Sequence, residues 1–476
     1  FKFNYEGGAV EFKSGLKSVP VMRNCRTNIV GTLLTGKANF NITVDNVFAD
    51  NQNYPNTVAQ QLELAAAVGG TVTLTEDVEL KKPLTVNSDM VINLNGKTIT
   101  GTWAKSVGHV IKVNEGASLK ISGGTVKSTG NNGGSAIYND GTLTVEDATI
   151  VGASVRENGG WPSYPVNNYS DMTIKNTTIT GYQGVVACTA AGTTVIENCI
   201  FNKEYLNTSS HTFYINHAEA NVIVNGGTYT HNGMDGSLAY VNAGTFTVNE
   251  GEFTAGKRGY GIAPLTNGTV IINGGTFNNA LMNWGGNITV TGGKFKSDPK
   301  AFIAAGYKSV KNGDKYYVVE DDVDAVVKTQ EELSNALKNG NANIILFKGE
   351  YELSSSLVFA ADNITISGED KDNCIVKLAS QLRAKDNITS LTLKNLTTDV
   401  PTGLGYTEHT FAWIHYLKNF SMIDCKSNGR IRLNVHNAVI DNCEFNVTTN
   451  SGFDGYAIFY YGPTNSNVKV SNSSFN

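Results

Sequence analysis

Between Gly405 and Arg432 the chain gathers Glu408, His409, Trp413, His415, Tyr416, Arg430 and Arg432, with His436 and Asp454 further on. Together they offer a base, an electropositive clamp and an aromatic platform, groups that can hold a sugar ring and move a proton beside it. Glu408, His415, Arg430 and Arg432 are therefore the catalytic candidates if the chain is a polysaccharide lyase or a glycoside hydrolase. Elimination from an acidic polysaccharide uses several converging carboxylates to hold calcium, with an Arg or Lys taking the proton α to a carboxylate. Hydrolysis uses two or three carboxylates within about 5 to 10 Å of one another. The carboxylates earlier in the chain, Glu146, Asp147, Glu197, Glu250 and Glu252, sit in or next to a turn of a repeated pattern, where a corner residue and solvent-facing neighbours are the ordinary reading. Alternate residues of TFAWIHY and RIRLNVH can likewise face solvent while Phe411, Trp413 or Ile414 fills a core. No catalytic residue and no metal site is assigned on this basis, and calcium is expected only under the lyase alternative.

The ligand-binding candidates are aromatic. Trp161, Tyr164 and Tyr169 lie in the long segment VGASVRENGGWPSYPVNNY, and Trp413 and Tyr416 lie in the later cluster. Such rings can stack on a glycan, or can pin a Pro-containing loop to the surface beneath it.

The elements that must position these side chains are set by an eight-residue pattern. Its clear copies are INLNGKTI (92–99), LKISGGTV (119–126), LTVEDATI (143–150), MTIKNTTI (172–179), TVIENCIF (194–201), VIVNGGTY (222–229), FTVNEGEF (246–253), VIINGGTF (270–277) and ITVTGGKF (288–295), and weaker copies begin at Ile364, Leu391, Phe420, Ala438 and Val468. The third position is Leu, Ile, Val or Met throughout, and the first is apolar in every copy but the one starting at Thr194. Alternate side chains therefore point inward along a strand. The fifth position is Gly, Asn or Asp in every copy except Glu250. Those residues best tolerate a left-handed backbone, which costs others about 1 to 2 kcal/mol, so each copy reads as strand, corner, strand.

Successive copies up to Phe295 end 27, 24, 29, 22, 28, 24, 24 and 18 residues apart, the length of one solenoid coil with loops of variable size. The expected fold is all-β: a right-handed parallel β-helix whose strands stack about 4.8 Å apart. In this respect residues 57–476 resemble the pectate-lyase-like β-helix superfamily, whose fold includes an asparagine or glycine ladder at one corner.

Two places read as solenoid starts, because a helix laid over an open first coil covers its apolar end. VAQQLELAAAV precedes TVTLTEDVEL, and EELSNALKNG precedes ANIILFKGEYEL. The expected domains are a partial, β-sandwich-like segment over 1–50, a first β-helix with a closing hairpin (YKSV, KNGD, KYYVV) over 51–320, and a second β-helix over 321–476. The acidic run Glu320, Asp321, Asp322, Asp324 reads as a solvated linker rather than a metal site. The stretch from Val19 to Phe48, with RNCRTNIVGTLLT at its core, resembles the end of a fimbrillin-type domain of Bacteroidales surface proteins. Residues 292–319 are similar to modules that close β-helices in surface proteins of gut bacteria. These resemblances imply an exported protein on the extracellular face of the bacterial outer membrane, held by a lipid anchor outside this chain. Phe1 in place of Met, and a last coil without a visible cap, lead us to expect further sequence or a partner at the ends.

Composition bounds the function. Fifty Gly, nine Pro and 17% charged residues fit a turn-rich all-β protein, and a net charge of −5 without a basic cluster argues against nucleic acid. No apolar stretch reaches the length of a membrane span. The six cysteines contain no Cys-x-x-Cys pair. Cys425 and Cys443 fall one coil apart at the sixth repeat position, where stacking suits either a disulfide or two buried thiols. The expected function is a non-catalytic adhesin or fimbria-associated protein whose loops meet host or microbial glycans or surface proteins. A laterally assembling surface-layer component built from copies of itself is the first alternative, and the polysaccharide-cleaving enzyme is the second.

Overall fold

The computed structural model of the chain describes residues 57–103, 108–130, 133–154, 163–204, 210–233, 236–256, 259–354, 356–378, 389–399, 417–446, 457–460, 462 and 466–476, with the strand backbones 2–5, 8–11, 26–31, 40–45, 382–383 and 412–415. It is an all-β protein, a parallel β-solenoid of about 13 turns. Two compact units are present, Phe1–Thr289 and Val290–Asn476. The first unit begins with two antiparallel pairs, Lys2–Tyr5 with Gly8–Glu11 and Arg26–Gly31 with Phe40–Asp45.

Helix α1 (Val58–Val68) opens the solenoid of the first unit. Thr57 accepts from the Gln60 N–H while the Gln60 side chain accepts from the Thr57 N–H, so two donors at the helix start are satisfied reciprocally. Its Val58, Leu62, Ala65 and Ala66 are buried against the first coil. The coils that follow have three strand segments, which merge into long continuous strands at Phe213–His231 and Ser237–Ala255, and these segments pair in parallel with their equivalents in the next coil.

The repeat positions stack as the pattern requires. Leu119 is in register with Leu143, then Met172, Thr194, Val222, Phe246 and Val270. The eighth positions Val126, Ile150, Ile179, Phe201, Tyr229, Phe253 and Phe277 form a second inward column. In its aromatic part Phe201 meets Tyr229 edge-on, and Tyr229, Phe253 and Phe277 stack, 4.8 Å apart for the first two and 5.0 Å for the second two. The buried Tyr229 hydroxyl donates to the Gly226 carbonyl at 2.6 Å. Thr194, the one polar first position, is buried because it belongs to an interior polar ladder: Asn139 donates to Asn168 at 2.6 Å, and Asn168 to Thr194 at 3.0 Å. Asn168 thus has a partner in the coil on either side, which offsets the cost of burying its amide, while the buried Asn139 Oδ1 has none.

The corners follow the pattern with instructive departures. Asp147, Asn176, Asn198, Asn395, Asp424, Asn442 and Asn472 all hold φ between 46° and 56°. Glu250, Gly274 and Gly292 do not have positive φ; in those copies the left-handed residue is the next one, Gly251, Gly275 or Gly293. The copy with Glu at the fifth position is thus tolerated because glycine at the sixth takes the turn. The first copy is also shifted: Ile92, rather than Leu94, is in register with Ile121, because Asn95 and Gly96 are both left-handed and widen that corner.

Asn176 also donates from Nδ2 to the Asp147 carboxylate at 3.1 Å. Replacing it with Val is expected to cost about 1 to 2 kcal/mol through backbone strain alone. Asn176→Gly keeps the turn and should stay close to wild type in urea unfolding; equal losses in both variants would count against a left-handed corner.

In the second unit the hairpin Tyr307–Asn312 with Lys315–Glu320 turns at Gly313. The Tyr317 ring packs 4.4 Å from Phe347. Helix α2 (Gln330–Lys338) is capped by Thr329 and buries Leu333, Ala336 and Leu337. Three parallel sheets of seven, six and four strands form the coils. In the first repeat copy of this unit Gly368 is not left-handed, and the next strand begins only at Cys374. Within the acidic run, Asp324 accepts from the Ala342 and Asn343 N–H groups at 2.7 and 3.0 Å, which holds its carboxyl below the usual range. That carboxylate fastens the start of a strand.

Candidate functional site

Of the enzyme candidates, His415 and Arg432 fall on the third sheet of the second unit. Strand Ala412–His415 pairs with Ile431–Asn434, placing Trp413 opposite Arg432 and His415 opposite Asn434. Arg432 lies over the Phe459 ring, 5.1 Å from its centroid. Arg430 is buried. Glu408, His409, Tyr416 and Asp454 lie outside the described residues, as does Trp161. In the first unit Glu146 pairs with Lys120 at 2.7 Å, Glu197 pairs with Lys175 at 3.1 Å, and Asp147 occupies its corner. Among the described residues no group of three or more His, Cys, Asp or Glu side chains could hold a metal ion.

A different feature concentrates polar and aromatic groups. The middle residues of the third strand of each coil stack in register, and in the first unit they run Thr85, Lys112, Tyr138, Asn167, Ala187, Tyr214, Tyr240, Ala263, of which Ala187 and Ala263 are buried and the others at least partly exposed. Rings from adjoining loops join them in two clusters. In the first, His109 stacks on Tyr138 at 4.4 Å and Tyr138 on Tyr169 at 4.7 Å. In the second, His211 stacks on Tyr240 at 4.2 Å, with Tyr214 5.9 Å from Tyr240. Trp284 closes that cluster edge-on, 6.1 Å from Tyr240 and 5.2 Å from Tyr260.

Stacked rings cover one another's faces, so solvent meets mainly their edges and hydroxyls. Trp284 and Tyr260 are different, being perpendicular and 38% and 39% exposed, so ring face is left open to solvent. An open aromatic face beside hydroxyl and imidazole donors is the chemistry that binds sugar rings.

The face carries little net charge. Lys112 lies 3.4 Å from Asp140 and over the Tyr138 ring. Burial lowers the pKa of His109, and its Nδ1 accepts from the Ser135 N–H at 3.2 Å, so the neutral ring carries its proton on Nε2. His211 is pushed down to about 3 by burial and by Lys203, and its Nδ1 accepts from the Ser237 N–H at 3.0 Å. Both imidazoles thus offer an Nε2–H donor at neutral pH. Tyr138 is pushed up to about 12, chiefly by burial, and stays a neutral donor.

Tyr164 is placed differently from Tyr169. Its hydroxyl accepts from the His211 N–H at 3.3 Å, its ring lies against Gly184, and burial raises its pKa. It pins its loop to the coil, whereas Tyr169 extends the outward stack.

Under the second cluster lies an interior polar group: Lys203, His231, Thr212 and Ser237, all fully buried. Lys203 and His231 are register neighbours. Burial pushes Lys203 down to about 8 and His231 down to about 3. The His231 Nδ1 lies 3.2 Å from the Thr212 hydroxyl, while its Nε2 and the Ser237 hydroxyl have no hydrogen-bond partner.

Sequence reasoning missed His109, Tyr138, His211, Tyr214, Tyr240, Tyr260 and Trp284. A signal existed for three of them. In AIYN, FYIN and AYVN a Tyr stands shortly before an eight-residue copy. The histidines and Trp284 arrive from loops, whose packing no repeat position encodes.

Among known families, the model of a family of unknown function (DUF6562) matches residues 1–86, which takes in the N-terminal segment, α1 and the first strands of the solenoid. No curated protein matches the chain.

Proposed function

We propose that the chain is a non-catalytic adhesin or fimbria-associated protein of the bacterial cell surface that binds glycans on the outward aromatic face of its first solenoid. The observation that supports this reading is the pairing of two stacked Tyr–His clusters with the open Trp284–Tyr260 corner on one face of the coils. Neutral imidazoles, neutral tyrosines and a compensated Lys112–Asp140 pair favour uncharged sugars over acidic ones. Long solenoids suit this role because successive coils repeat a binding surface along one axis.

A glycan-array screen of the purified chain, run beside a turnover assay on acidic and neutral polysaccharides with and without calcium, tests the proposal. Binding to neutral glycans without turnover is the expected result. Chain cleavage would replace it with an enzymatic function centred on Arg432, and silence in both assays would remove the glycan reading.

A further inference from the structure

Five cysteines are described, and all are free and buried. Their register neighbours separate them into two kinds. Cys199 is in register with Gly227, and Cys188 with Asn168 and Ile215. Cys374 is in register with Gly349. Cys425 and Cys443 are different: the pairs Ile423↔Asp441 and Lys426↔Glu444 bracket them, so the two occupy one corner position in adjacent coils. Equivalent residues in adjacent parallel strands lie about 4.8 Å apart, inside the Cα separation that a disulfide spans.

The two thiols also share a local environment. Each donates to carbonyls of its own corner and of the coil before it, Cys425 to Ile423 and Leu393 at 3.3 and 3.4 Å, Cys443 to Asp441 and Met422 at 3.3 and 3.5 Å. They interact with each other as well. A hydrogen bond from the Cys425 side holds the Cys443 thiol below its ordinary range and raises that of Cys425.

We infer that Cys425 and Cys443 are a disulfide-forming pair that staples two successive coils of the second solenoid. With a small disulfide such as oxidised glutathione as the oxidant, the thiolate of one cysteine attacks one of its sulfurs and releases one glutathione thiol. The other cysteine then attacks the mixed disulfide, forming the Cys425–Cys443 bond and releasing the second glutathione thiol. Both protein thiols lose their protons, and the two electrons end on the two glutathione molecules. Both thiols are buried, so oxidation proceeds through local opening of their coils.

The test incubates the full chain with oxidised glutathione, traps remaining thiols by alkylation in denaturant and maps the peptides by mass spectrometry. The expected result is one cross-linked pair joining Cys425 to Cys443, with Cys199 and Cys374 alkylated. Cys443→Ser should abolish the cross-link and leave Cys425 alkylated. The stapled chain should also resist limited proteolysis of residues 419–446 at least several-fold longer than the reduced one. Full alkylation of both residues after oxidation, or their appearance only in mixed disulfides or with other partners, would overturn the inference. Because the wild-type peptide map alone decides it, the outcome does not depend on a variant folding.

Discussion

Acidification from pH 6.5 to about 4.5 is expected to destabilise the first unit, well before carboxylates with lowered pKa values are protonated. The cause is the buried pair His211 and His231, both pushed down to about 3 by burial and by Lys203. In the unfolded chain each titrates near its ordinary value of 6.5. Between those values the unfolded state binds more protons than the folded state, so stability falls as pH falls. The slope is at most about 1.4 kcal/mol per pH unit for each histidine. Lys203 adds the same sign at alkaline pH: held down to about 8 against an ordinary 10.5, it makes stability rise as pH climbs through that interval. Asp324 and Asp370 are lowered from 3.8, so their stabilisation is lost only below that value. Urea midpoints at pH 7.5, 5.5 and 4.5 check the prediction. His231→Gln should flatten the profile, and an unchanged midpoint down to pH 4.5 would show that the histidines are not held neutral.

The second large effect is expected at Phe253. Its ring is 1% exposed and stacks between Tyr229 and Phe277 in the inward aromatic column. Phe253→Ala removes the ring and leaves a cavity that stacked backbones on either side cannot close, so a loss of about 3 to 5 kcal/mol is expected. Phe253→Leu should cost much less, because it keeps an apolar side chain in the column. Thermal unfolding followed by circular dichroism separates the two, and equal, small losses would mean that the column is not a packed core.

Much of the fold could be read from the sequence because the repeat encodes it twice, in inward apolar positions and in corner residues. Asn176 and Asn442 announce a left-handed corner by type alone. Both capping helices were legible from amphipathic segments standing ahead of the first coil. What escaped was wherever a neighbour compensates: Gly251 taking the turn that Glu250 declines, or the paired Asn95–Gly96 corner that shifts the first copy's register. The aromatic face was only half legible. Tyr169 was visible as an aromatic loop residue, but its partner Tyr138 lies in a strand that looks ordinary until coils are stacked. His211 and Trp284 reach the face through loop conformations that no local pattern records.

The central claim, that the outward aromatic face binds neutral glycan, is tested most directly by calorimetric titration of the chain and three variants with the best ligand from the array. Trp284→Ala and Tyr240→Ala should each weaken binding by about tenfold, equivalent to about 1.4 kcal/mol, with an unchanged circular dichroism spectrum. Arg432→Ala, in the other unit, should bind as wild type does. Full affinity in the two aromatic variants, with binding lost in Arg432→Ala, would contradict the account and place the site in the second solenoid.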